Sequence, residues 1–156
     1  MLSIAGLPKN PLVRRVEIAQ AALDQFRGKR FQWGDNDCAR LAAFVLREAG
    51  YKPNLAQFGG YRSALAARRA LKSRKFATVL DWVDAVGPKR IAPAATLPGD
   101  LIAFPGEDGW EALTVALGAG RVLGFTETAI DGGCSIIDAK LGAALAAWSV
   151  PPWPKH

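Results

Sequence analysis

Within residues 31–50, FQWGDNDCARLAAFVLREAG, a cysteine stands where a helix should begin, and that placement is the chain's clearest opening for chemistry. Leu41, Ala42, Val45 and Ala49 follow Cys38 on one helical stripe that also carries the thiol. A thiol at a helix N-terminus meets the positive end of the helix dipole and unpaired N–H donors, both of which favour the nucleophilic thiolate. The neighbouring Asp35 and Asp37 carboxylates oppose ionisation, so the sequence leaves the sign of the net shift open. The other reading of Cys38 is a buried packing residue, since a free cysteine behaves as a small hydrophobe.

The W-G-x-x-D-C approach to an apolar helix, followed later by Pro98-Gly99-Asp100-Leu101-Ile102, resembles the NlpC/P60 superfamily of papain-like cysteine peptidases. It most resembles a prophage-associated branch that shares the F-x-W-G-x-x-D-C approach, an aromatic such as Tyr61 before an Ala-rich helix, and a closing Ala147-Trp148 strand. The likeness covers roughly residues 16–150. It implies a thiol nucleophile at Cys38 and a histidine base at the start of the strand after G-D-L-I. In the superfamily that strand reads His-Val-Gly-Ile-Tyr-Leu-Gly, whereas here it reads Ala112-Leu113-Thr114-Val115-Ala116-Leu117-Gly118. Ala112 occupies the base position, and the third polar residue, which would orient the base, falls near Gly124.

Loss of one member of such a set costs on the order of 10⁴-fold or more in turnover, because the members act as a unit. Glu111, beside the vacant base position, and Asp37, beside the thiol, are the substitute-base candidates. A carboxylate near its usual pKa of about 4 is a poor match for a thiol near about 8.5. His156, the only histidine, is the last residue. Trp33, Tyr61 and Trp82 are candidates for a cleft wall or lid that binds a substrate or partner.

These residues need a scaffold, and the pattern supplies one. Asn10 and Pro11 start a helix over about 12–26 with an apolar face of Leu12, Val16, Ala19, Leu23 and Phe26, ended by Gly28. The cysteine helix runs from about 37 to 49, with Asp35 or Asp37 as cap and Gly50 as stop. After an irregular loop over 51–61, Ser63 caps an Ala-rich helix with the stripe Ala64, Ala67 and Leu71. Thr78 and Asp81 form a capping box for the next, which stops at Gly87-Pro88. These two helices would make a lid or side wall over the thiol.

From Pro98 the period changes to short apolar runs over 101–104, 113–117, 121–125, 134–137 and 147–150, with a tight hairpin at 117–121 and a helical turn within 140–146. Helices first and a meandering antiparallel sheet afterwards is an α+β arrangement, which is also what the papain-like resemblance implies. One domain is expected over 1–156, with a core of about 11–150 and a Pro-rich tail at 151–156 in which Trp153 could dock. Asp100 reads as a turn residue at a strand start, and Cys134 as a buried strand residue. Whether Cys134 and Cys38 could be bridged is left open.

Two cysteines without histidine company exclude a metal-ligand spacing, and no cofactor motif is present. The first eleven residues are too short an apolar run for a signal peptide and no stretch is long enough to span a membrane, so synthesis in the cytoplasm is expected, with possible association to a virion. The net charge of +6 and pI near 9.7 suit an anionic partner, with basic clusters at residues 14–30 and 68–75, although nucleic-acid motifs are absent.

Three functions follow. The first is a catalytically silent papain-like domain with a structural or adaptor role among phage or prophage tail proteins. The second is a thiol hydrolase acting on cell-wall peptide with an atypical base. The third is polyanion or nucleic-acid binding through the basic clusters. The oligomeric state is not legible in the sequence.

Overall fold

Four helices precede a six-stranded sheet in a computed structural model that describes residues 10–106, 109–126 and 133–153. The helices are α1 (Pro11–Phe26), α2 (Cys38–Ala49), α3 (Ala64–Ser73) and α4 (Val79–Val86). The strands are β1 (Lys89–Arg90), β2 (Leu101–Pro105), β3 (Glu111–Gly118), β4 (Arg121–Thr126), β5 (Gly133–Asp138) and β6 (Ala146–Ser149). The result is an α+β architecture, with N-terminal helices packed against a C-terminal antiparallel sheet.

Local chemistry sets the helix ends. The Asn10 side chain accepts from the Leu12 N–H, Ser63 accepts from the Ala66 N–H, and Thr78 with Asp81 completes the capping box at α4. On α2 the buried residues are Leu41, Ala42, Ala43, Val45, Leu46 and Ala49. Full burial of Leu41, Val45 and Leu46 contributes about 1.5–3 kcal/mol each. This helix is the hub of the core, touching α1 on one side and β3 and β4 on the other.

The expected apolar face of α1 needs correction. Leu12 and Val16 are more than half exposed, while Arg15, Ile18, Ala19, Ala22 and Phe26 are the buried positions. The helix is turned so that the Arg15 guanidinium reaches the Asp100 carboxylate at 2.5 Å, a pairing that hydropathy cannot register.

The sheet order is β1-β6-β2-β3-β4-β5, antiparallel throughout. Strands β2 to β5 follow one another as a meander, but β6 does not extend it. It returns to the free edge of β2 and separates it from the two-residue β1, which the sequence reading did not contain. Trp148 on β6 is fully buried, as suits a strand flanked on both sides. A second apolar layer, built on Ile102, Ala116, Val122 and Ala147, covers the face turned away from the helices. Burial on both faces explains why the strands read as continuous apolar runs instead of alternating ones. The hairpin between β3 and β4 turns through Ala119 and Gly120, both at positive φ, as a two-residue connection requires. No helix among the described residues is long and apolar enough to cross a membrane.

Candidate functional site

The segment before α2 folds back on itself: the Gln32 and Asn36 backbones exchange hydrogen bonds at 2.8 and 2.9 Å, closing a tight turn. Gly34 at its tip has φ +82°, and a Cβ there would clash with the Tyr61 carbonyl oxygen, so only glycine fits. Its N–H donates to Asp37 Oδ2 at 2.9 Å. The Tyr61 hydroxyl donates to the same oxygen at 2.7 Å, and the Arg40 N–H donates to Oδ1 at 2.8 Å. Asp37 is therefore the N-cap of α2 and the tie between the turn, the helix and the loop before α3.

Cys38 is the first residue of α2, half-buried, with its thiol against the start of β3. Sγ lies 4.0 Å from the Glu111 carbonyl oxygen, and the Leu113 N–H also faces it. Burial, reinforced by the Asp37 charge and to a smaller degree by Glu111, pushes the thiol from 9.0 up to about 12. The N–H groups of Leu113 and of Cys38 itself favour thiolate but are outweighed. The competition that the sequence left open is decided for the neutral thiol.

Around the sulfur opens an apolar cavity of about 340 Å³, lined among others by Phe31, Trp33, Tyr61, Trp110 and Ala112. Its size and character suit a small ligand or a side chain. Trp33 meets Phe31 edge-on at 5.0 Å and Trp110 at 5.2 Å. Trp82, at 1% exposure, belongs to the floor: its indole N–H donates to the Pro53 carbonyl at 3.0 Å. Ala67 and Leu71 make α3 a side wall. Trp110, like Phe58 and Phe104, lines the cavity without having been a candidate from the sequence; an aromatic just before a strand, next to Glu111, was its signal. The Arg68 guanidinium lies 5.2 Å over the Trp110 ring, and the buried Trp110 indole N–H has no hydrogen-bond partner among the described residues.

At the two positions to which the sequence resemblance assigns a base and its orienter, Ala112 and Gly124, there is no polar side chain. Ala112 lines the cavity with a methyl group. Gly124 lies on β4, where a Cβ would come within 2.9 Å of the Thr114 methyl. Thr114 is itself anchored, its hydroxyl donating to the Ile102 carbonyl at 2.9 Å.

A family profile described as a domain of unknown function, DUF6950, matches residues 14–150. The chain belongs to that family. Among curated proteins no match is found. The DUF6950 domain thus brings Asp37, Cys38, Trp33, Tyr61 and the Glu111 backbone together at one cavity. Asp100 serves a different network: its carboxylate takes the Arg15 guanidinium, the Leu97 N–H at 2.8 Å and the Val150 N–H at 2.7 Å. Cys134 is buried on β5, its backbone paired with residues 28 and 29, and both cysteines are free thiols. His156 lies outside the described residues, among which no group of three His, Cys, Asp or Glu side chains could hold a metal ion.

Proposed function

We propose that this DUF6950 domain is a catalytically silent relative of the NlpC/P60 papain-like peptidases, acting as a structural or adaptor module in a phage or prophage particle at the tail tip. The reading rests on the surroundings of one thiol. Cys38 stands at the head of a helix packed on a sheet, where the resemblance puts the nucleophile, yet it is protonated at neutral pH and among the described residues its thiol faces a backbone carbonyl and not a histidine. Asp37 accepts from the Arg40 N–H, the Gly34 N–H and the Tyr61 hydroxyl, which hold it in a capping role. Glu111 turns its backbone carbonyl, a hydrogen-bond acceptor, toward the sulfur. The exchange of bulk between positions 114 and 124, with Thr114 in place of the superfamily's glycine and Gly124 in place of its polar residue, supports a site refilled for packing. The particle context rests on the sequence resemblance.

The deciding experiment is alkylation of Cys38 as a function of pH, read by peptide mass spectrometry, alongside turnover of peptidoglycan fragments. A thiol pushed from 9.0 up to about 12 carries far less thiolate at neutral pH than an ordinary cysteine. Cys38 is accordingly expected to react far more slowly than a free cysteine below pH 9, with no turnover. Rapid alkylation below pH 7, together with turnover that Cys38→Ala abolishes, would establish the hydrolase instead. Absence of the protein from purified particles would remove the tail-tip role.

A further inference from the structure

One stretch of the chain carries basic side chains with no acidic ones among them. Residues 49–80 hold seven basic side chains and no acidic one, while the remainder holds thirteen basic and fourteen acidic. The segment that carries α3 and walls the thiol cavity thus has a net charge of +7, and the remainder of the chain −1. Ala67 and Leu71 turn α3's inner side to the cavity and core, leaving Leu65, Arg68, Arg69 and Lys72 on an outer stripe at i, i+3, i+4 and i+7. Arg69 and Lys72 are exposed and form no ion pair among the described residues, and Leu65 stands between the charges at 58% exposure.

We infer that the outer face of α3 is a docking surface for an acidic segment of a partner protein that also carries an apolar side chain. The inference deepens the adaptor reading and rests on it. Charge complementarity fixes the sign of the partner, and Leu65 fixes its mixed character: an apolar residue set among cations has nothing to gain from a sugar-phosphate strand. The stripe spans one helix of about 15 Å, short enough for two or three turns of an acidic helix. Recognition of single-stranded nucleic acid would require aromatic faces open for base stacking. At this cavity Trp110 is covered by Arg68 on its ring and packed by Trp33, and Trp33 is packed by Phe31.

The test uses the full chain and a fluorescent Glu-rich amphipathic peptide, with oligothymidylate of matched charge and phosphatidylserine vesicles as competitors. The double variant Arg69→Glu, Lys72→Glu should weaken peptide binding at least about tenfold at low salt and flatten its salt dependence. The neutral pair Arg69→Gln, Lys72→Gln, smaller in effect, serves if the reversal disturbs folding. Tighter binding of the oligonucleotide or the vesicles, equal binding by the variants, or no binding of the peptide overturns the proposal. Peptidoglycan turnover in the same preparations separates the two readings: turnover lost in Cys38→Ala overturns catalytic silence and leaves the docking result standing.

Discussion

Asp37 and Asp100 are both buried, and three donors hold each carboxylate, yet only one of them faces a cation. Asp100 meets the Arg15 guanidinium together with the Leu97 and Val150 N–H groups, so its charge is neutralised where it stands. Asp37 is held by two N–H groups and a phenol, with no salt bridge among the described residues. Dipoles satisfy a carboxylate's hydrogen bonds without cancelling its field. The difference separates a pin from a source: Asp100 ties α1, β2 and the end of β6 together, whereas Asp37 ties its turn and also imposes a negative potential on the thiol next to it.

The comparison breaks most visibly at Asp100. Asp100→Ala leaves a buried arginine without its partner and should cost about 3–5 kcal/mol, measured by urea unfolding. Arg15 and Asp100 replaced together by similarly sized apolar residues should recover much of that loss. If the single and double variants are equally unstable, the ion pair is not what holds this corner.

Asp37→Ala should cost somewhat less, about 2–4 kcal/mol, from a lost cap and two buried donors left unpaired. The sharper variant is Asp37→Asn, which removes the charge and keeps one acceptor oxygen for the Arg40 N–H, at the cost of turning its amide NH2 toward the Gly34 N–H and the Tyr61 hydroxyl. The thiol's pKa should then fall, and alkylation of Cys38 near pH 8 should accelerate by about tenfold for each unit of that fall. Unchanged reactivity would mean that burial alone keeps the thiol protonated.

The smallest effect is a pH dependence. The folded Cys38 thiol titrates about 12 against an ordinary 9.0, so the stability it contributes is complete below pH 9 and is lost as pH rises toward 12. Cys134, raised to about 12 by burial alone, acts with the same sign in the same window, while the upward-shifted Tyr61 acts with the same sign only above its ordinary value of 10.0. Cys38→Ala should make the alkaline decline in melting temperature shallower, and adding Cys134→Ala shallower still.

Features decided by neighbours in the chain were legible. The caps at Asn10, Ser63 and Thr78, the stop at Gly50 and the Ala119-Gly120 hairpin each depend on a few adjacent residues. What depended on distant partners was not. The rotation of α1 is set by an aspartate 85 residues away, and β6 takes its place by pairing with β1 and β2 instead of with the strand before it. At the site, Cys38 and its cap could be placed from the sequence, but the sign of the thiol's shift could not, because burial against β3 decides it. Trp110 escaped notice because a lone aromatic beside a turn has no periodicity to betray which way it faces.

The close fit of Thr114 against Gly124 has a consequence for anyone redesigning the domain. Any side chain introduced at 124 meets a β-branched methyl whose hydroxyl is already bound to β2, so the change is uphill before it can be useful. Bulk can enter at 124 only where position 114 gives some up, so the two positions are coupled and must be changed together.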